Sequence, residues 1–234
     1  MTIAVVLFDL DDTLFAHSKA VAHGVLAHRT ALGLTGDATT EFERWTALEE
    51  HHYHRYLRQE VGYQEMRRAR ARGFAEPLGI DLAEDDAADA WFAGYVERYR
   101  AAWELYDDTL PLLDSLPQRL GIITNAELGF QLGKLDALGV THRFEHVIAS
   151  GEVGHAKPDA RIFLAAVRAF GVDAAQAAYV GDRLHTDAIG AAEAGLVGIW
   201  LDRHGNADAE ELREAASAGV HVIHSLYELS AVLA

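Results

Sequence analysis

The stretch Ala4–Thr13, reading AVVLFDLDDT, decides the fold. Ala4 to Phe8 is an apolar run of strand length with no period-2 alternation. It reads as a central strand buried on both faces. The run then meets three carboxylates, Asp9, Asp11 and Asp12. Three acids cannot stay inside an apolar sheet without a cation or strong donors to compensate them. The strand must therefore end at a polar edge, and open α/β sheets bind ligands outside the carboxyl ends of their strands. Asp9 and Asp11 are two residues apart and share a face if the strand stays extended. Such a pair suits a hard divalent cation or acid/base work, and the competing reading is a solvated acidic turn.

Composition bounds what that edge can serve. The chain has 234 residues, half of them hydrophobic, which allows one large domain or a domain with a sizeable insertion. A formal charge of −16 argues against non-specific binding to nucleic acid or anionic membranes. It would also repel a phosphorylated substrate, so such a site must reverse the sign locally with a metal ion, a lysine and helix N-termini. The absence of cysteine excludes disulfides and thiolate metal sites and favours a reducing compartment. The first apolar run is interrupted by Asp9 too early for a secretory signal, and no stretch approaches the ~20 apolar residues of a membrane span. These features predict a cytoplasmic protein.

Beyond Thr13 the periodicity turns helical. Helices are expected over His17–Leu32, Thr39–Glu60 (with Asp37, Thr39 and Thr40 as capping candidates), Tyr63–Phe74 and Asp85–Trp103. Trp91, Tyr95, Tyr99 and Trp103 recur at four-residue spacing and read as helix packing. His51, His52 and His54 read as a solvated helix face. From Leu105 strands and helices alternate. The strands are Leu120–Thr124, His146–Ala149, Ala177–Val180, Val197–Leu201 and Val220–Ile223, and a helix is expected over His185–Ala194, among others. This alternation predicts an α/β core, a Rossmann-like parallel sheet with helices on both faces, formed by residues 1–14 and 105–234. Residues 15–104 read as an inserted all-helical cap domain, hinged near Phe15 and Glu104–Tyr106.

Four polar signals fall at strand ends or a helix start. They are Asp9 and Asp11, then Thr124-Asn125, then Lys157 in Lys157-Pro158-Asp159, and Asp182 and Asp187 in GDRLHTD. Each alone is weak, because caps, exposed lysines and Gly-Asp turns are common. Their order along strands that a parallel sheet gathers at one edge is more telling. Lys157 is one of only three lysines, with Lys19 and Lys134. Together with DLDDT and the GAAEAG that follows, these motifs resemble the haloacid dehalogenase-like hydrolase superfamily, and the helical block sits where that family inserts its cap.

The resemblance implies a Mg²⁺-dependent phosphohydrolase acting on a small phosphorylated metabolite. Asp9 would be the nucleophile and form an aspartyl-phosphate. Asp9, the backbone carbonyl of Asp11 and Asp182 would hold the metal. Asp11 would exchange protons with the leaving alcohol and the attacking water. The Thr124 hydroxyl and the Asn125 N–H would bind phosphoryl oxygens, and Lys157 would neutralise charge on the phosphoryl group and on Asp9. Asp187 would orient Lys157 or a metal-bound water, Thr13 would fix the loop through a hydroxyl hydrogen bond, and Asp12 would serve the turn. The dehalogenase branch lacks an acid two residues after its nucleophile. A halide needs no proton on leaving and an alcohol does, so Asp11 favours phosphate esters. A phosphomutase, a receiver-type signalling domain and a non-catalytic phosphate-binding protein are the alternatives. A ~90-residue insertion after the first strand fits a receiver poorly. The arginines from Arg55 to Arg72 read as a charged helix surface or, more sharply, as one or two side chains that attract the substrate. Arg183 and His185 are further candidates for substrate contact. A monomer and a homodimer are both compatible with the sequence.

Overall fold

The computed structural model describes residues 2–233. The chain forms two compact units, Met1–Ala16 with Glu104–Ala234, and His17–Trp103.

The first unit is built on six parallel strands, β1 (Val5–Phe8), β2 (Arg119–Thr124), β3 (His146–Ala149), β4 (Ala177–Gly181), β5 (Val197–Leu201) and β6 (His221–Ile223). Their order across the sheet is β3-β2-β1-β4-β5-β6. Every residue of β1 is buried, as expected of an apolar run without alternation. Phe8 registers with Ile122 on β2 and with Val180 on β4. The direction of winding reverses where β1 meets β4, which places the ligand crevice of such a sheet beyond the carboxyl ends of these strands.

The second unit comprises α1 (His17–Ala31), α2 (Ala38–Leu57), α3 (Tyr63–Ala75) and α4 (Asp85–Arg100). The helices of the first unit follow as α5 (Thr109–Ser115), α6 (Leu128–Ala137), α7 (Ser150–Val153), α8 (Ala160–Phe170), α9 (Gly190–Glu193), α10 (Ala209–Ser217) and α11 (Leu229–Val232). The sequence explains α8 well. Asp159 caps its N-terminus by accepting from the Arg161 N–H, Gly171 ends it at φ 66°, and Ile162, Phe163, Ala166, Val167 and Phe170 form one buried stripe. That stripe packs with Val5, Leu7, Ile123 and Tyr179 in the main core. Among the described residues no helix is long and apolar enough to cross a membrane.

One element departs from expectation. His185–Ala194 reads as an ordinary helix, yet Leu184–Ile189 forms a π-helical turn before α9. The wider turn lets Asp187 fold back over the end of β4. A Cβ on Gly181 would lie 2.4 Å from the Asp187 Cγ, so only glycine admits that carboxylate.

The helical unit packs around Trp45, which is fully buried. Phe74, Trp91, Phe92 and Tyr95 surround its ring at centroid distances of 4.4–5.9 Å. The aromatic stripe of α4 is thus packing. The arginine run is engaged within the same unit. Arg68 pairs with Asp85 and Asp89, Arg72 with Asp85, and Arg70 with Glu49, while Arg55 and Arg58 both reach Glu60. Arg67 lies over the Phe92 ring at 4.6 Å. His54 pairs with Glu50 at 2.6 Å, on an exposed face.

His28 on α1 is 5% exposed and meets the Trp91 ring edge-on at 4.4 Å. Neither ring nitrogen has a hydrogen-bond partner. Burial, helped by the nearby Arg98, lowers its pKa from 6.5 to about 4. The unfolded state therefore binds a proton between those two values that the folded state refuses, and stability rises with pH across that window. Urea melts followed by tryptophan fluorescence should show the wild type losing on the order of 2 kcal/mol more than His28→Leu between pH 6.5 and 4.5. Equal losses would contradict a neutral, buried His28.

Candidate active site

The carboxyl ends of β1, β2 and β4 bring the sequence-predicted residues together. Asp9 follows β1, and its N–H donates to the Val180 carbonyl at 2.8 Å, so the backbone stays in register with β4 one residue past the strand. Thr124 ends β2, Asn125 follows it, and Asp182 follows β4. Asp9, Thr124, Asn125, Lys157 and Asp187 are all buried.

Lys157 lies at the centre of this group. Its Nζ donates to Asp9 Oδ1 at 2.6 Å, to Asp187 Oδ1 at 2.7 Å and to the Tyr179 hydroxyl at 2.7 Å. Three partners match the three protons of an ammonium. The Tyr179 hydroxyl in turn lies 3.1 Å from the Ile123 carbonyl and 3.3 Å from Asp187 Oδ1. The backbone of Lys157 is fixed as well. Its N–H donates to Asn125 Oδ1 at 2.7 Å and its carbonyl accepts from Asn125 Nδ2 at 2.9 Å. Asp187 Oδ2 accepts from the Arg183 N–H at 3.0 Å, so both of its oxygens are held.

The electrostatics of the group are unbalanced. Burial works against the charge of Lys157, but Asp187 and Asp9 outweigh it and raise its pKa. For Asp9 burial is the largest effect and raises the pKa; Lys157 pulls it down, and Asp187 and Asp11 push it up again, to about 7. Asp182 is raised well above the ordinary carboxylate range by burial first, then by Asp187, Asp9 and Asp12. One ammonium thus faces three clustered acids. Asp9, Asp182 and Asp187 each offer an oxygen, all within 4.8 Å of one another. An all-carboxylate donor set with surplus negative charge fits a hard, oxygen-seeking cation.

Asp11 lies beside this cluster and is gripped from α6. Its Oδ2 accepts from Gln131 Nε2 at 2.9 Å, and its Oδ1 forms an ion pair with Lys134. Gln131 Nε2 also donates to the Thr124 hydroxyl at 2.9 Å. Asp12 takes the left-handed conformation at φ 58° and accepts from the Tyr106 hydroxyl at 3.2 Å. Thr13 needs a correction. Its hydroxyl is buried without a hydrogen-bond partner, so it does not fix the loop as the sequence suggests. The loop is held through the Thr13 carbonyl instead, which accepts from Arg203 Nη2 at 2.6 Å. Arg203 also pairs with Asp108 at 2.8 Å and stacks on Tyr106 at 3.9 Å, so contacts distant in sequence fix what a local hydroxyl does not. His185 is exposed and paired with Glu214 at 2.8 Å.

Sequence reasoning missed Tyr179, Gln131, Lys134 and Tyr106, and it assigned Asn125 only a backbone role. A signal existed for two of them. Gln131 and Lys134 are polar residues three apart on the face of α6 that also buries Leu135, where a core-facing stripe ordinarily carries apolar side chains.

The family model described as haloacid dehalogenase-like hydrolase matches residues 3–195. The chain belongs to the haloacid dehalogenase-like hydrolases. It is 35% identical over 219 residues to a glyceraldehyde 3-phosphate phosphatase from Methanopyrus kandleri, covering 89% of this chain and 88% of that one. Among solved structures, the HAD-hydrolase YfnB from Bacillus subtilis bound to magnesium superposes with a TM-score of 0.83 at 18% identity, over 100% of this chain and 99% of that one, a likeness of fold. A 2-haloacid dehalogenase from Pseudomonas syringae is 29% identical with a TM-score of 0.68, over 99% and 98% of the two chains.

The charge imbalance predicts how the metal-free protein responds to substitution. Asp9 is raised, so its ionised form weakens the fold fully above about 7, and that cost shrinks as pH falls below about 7 and is gone only below the unfolded value of 3.8. In chelator at pH 8, Asp9→Asn should raise Tm. Lys157→Met should lower stability by about 3–5 kcal/mol, because it leaves buried acids uncompensated. A lower Tm for Asp9→Asn would contradict the imbalance.

Proposed function

We propose that this hydrolase cleaves a small organic phosphate monoester through phosphorylation of Asp9, with Mg²⁺ as its cation. The observation that carries the reading is Asp9, held 2.6 Å from Lys157 at the end of the central strand, with the Asp11 carboxylate two residues further on. A carbon–halogen substrate would leave Asp11 without work, since a halide departs unprotonated. An alkoxide needs a proton, and Asp11 is the acid assigned here to supply one. The likeness over most of its length to a glyceraldehyde 3-phosphate phosphatase supports a small phosphorylated metabolite as substrate.

In the first step an oxygen of Asp9 bonds to phosphorus, the ester P–O bond breaks, and a proton that Asp11 carries for this step, on an oxygen lone pair used by neither Gln131 nor Lys134, passes to the departing oxygen to give the alcohol. In the second, Asp11 takes a proton from water as the water oxygen bonds to phosphorus. The acyl-phosphate bond breaks, and Asp9 returns as a carboxylate with inorganic phosphate released. Lys157, fixed by Asp187, Tyr179 and the Asn125 clamp, balances charge on Asp9 and on the phosphoryl oxygens without reorganising. The Thr124 hydroxyl and Asn125 N–H are assigned to those oxygens. Asp9, the Asp11 carbonyl and Asp182 would hold Mg²⁺, which when bound supplies positive charge to the acids and to the phosphoryl group. The helical unit His17–Trp103 is assigned the role of a cap that selects the leaving group.

Phosphate release from an aryl phosphate tests the reading. Wild type should release phosphate only with Mg²⁺, Asp9→Asn should fall to background, and Lys157→Met should lose roughly 10²–10³-fold in kcat. Mg²⁺ should also raise the wild-type Tm and raise that of Asp182→Asn less. Undiminished release by Asp9→Asn would refute the assignment of the nucleophile.

A further inference from the structure

We propose that Lys134 and Gln131 of α6 are positioning residues for Asp11, a brace that aims the proton-transferring carboxylate at the ester oxygen. The inference rests on the phosphatase reading above and adds to it two residues that touch neither phosphorus nor metal in that scheme.

The grip is two-pronged. Gln131 Nε2 holds one Asp11 oxygen at 2.9 Å and the Lys134 ammonium holds the other. A carboxylate caught at both oxygens by donors from one helix cannot turn about its terminal bond without breaking a contact. The anchors are rigid. Gln131 and Lys134 are 0% and 1% exposed, while the Asp11 side chain is 32% exposed. Buried donors thus hold an acid whose own side chain remains accessible. The Lys134 ammonium also lies 4.4 Å from the centroid of the Phe15 ring, which pins the side chain from a second direction.

A buried lysine on a helix carries a desolvation penalty, and an apolar residue would pack there more simply. Its placement on the acid two residues after the proposed nucleophile gives that penalty a use. Gln131 extends the brace, because the amide nitrogen that holds Asp11 also reaches the Thr124 hydroxyl at 2.9 Å. One side chain therefore fixes the acid relative to the hydroxyl assigned to the phosphoryl group. A proton donor must lie within hydrogen-bond reach of the leaving oxygen. Setting its distance from the phosphate subsite is how a helix outside the chemistry can control the transfer.

Aim and general damage have different signatures. The kcat/KM for a phosphatase of this mechanism covers steps up to formation of the aspartyl-phosphate. An aryl phosphate with an acidic phenol needs little protonation in that step, whereas an alkyl phosphate needs it fully. Lys134→Met, which keeps the helix propensity and the apolar stem, should lower kcat/KM for glycerol phosphate by roughly tenfold or more, within the 10²–10⁴-fold that a positioned acid supplies. The value for p-nitrophenyl phosphate should stay within about threefold, and Lys134→Arg should restore part of the loss. Gln131→Leu, which also releases the Thr124 hydroxyl, should cost both esters something but the alkyl ester at least severalfold more, and serves if Lys134→Met does not fold. In an Asp11→Asn background, Lys134→Met should cost nothing further with either ester, since no acid remains to be aimed. Equal losses for both esters, an additive loss in the Asp11→Asn background, or no loss at all would overturn the brace. A folded wild type inactive on both esters with Mg²⁺ would overturn the phosphatase reading, and the brace with it.

Discussion

The structure depends on one buried ammonium. Lys157 Nζ is shared among Asp9, Asp187 and Tyr179 at 2.6–2.7 Å, where β1 and β4 end. Removing those carboxylates from water is unfavourable, and a single positive charge offsets only part of the repulsion among them. Most of what surrounds the lysine serves to keep it there. Asn125 clamps its backbone from the end of β2, Tyr179 supports it from β4, and the π-helical turn carries Asp187 back over Gly181. Parallel pairing of β2, β1 and β4 makes these separate sequence segments neighbours.

Under the proposed mechanism the same geometry trades stability for reactivity. A nucleophilic carboxylate must be ionised, desolvated and aimed, and each condition raises its free energy in the resting protein. The apolar sheet beneath supplies the compensating stability. Val5, Leu7, Tyr179, Ile162 and Phe163 form one closely packed core directly under the site. The helical unit has a core of its own, centred on Trp45, and the arginines from Arg55 to Arg72 are paired or stacked within it.

The sheet and the positions of the acids were legible because they follow from local pattern. An uninterrupted, β-branched apolar run of strand length ending in carboxylates reads as a buried strand with a polar edge, and strand–helix alternation implies parallel pairing. Side-chain partnerships across long separations were not legible. Asp11 and Lys134 are 123 residues apart, and nothing local links them. Tyr179 sits inside an apolar strand and resembles a packing residue until its hydroxyl is seen beside Lys157. Thr13 misled in the opposite way, since a hydroxyl in a turn suggests a hydrogen bond that the buried environment does not provide. The π-turn escaped because its width is set by the fit of Asp187 over Gly181 and of Ala188 against β5, where the Ala188 carbonyl lies 2.2 Å from where a Gly198 Cβ would be.

The central claim is that Asp9 itself takes the phosphoryl group. The direct measurement is to mix enzyme, Mg²⁺ and radiolabelled aryl phosphate, quench in acid within one turnover, and locate the covalent label by peptide mapping. The account predicts label on the peptide containing Asp9, released by hydroxylamine as an acyl-phosphate should be, and none in Asp9→Asn. Phosphate released in the same turnover with no labelled protein at any quench time, or label on a peptide lacking Asp9, would contradict it.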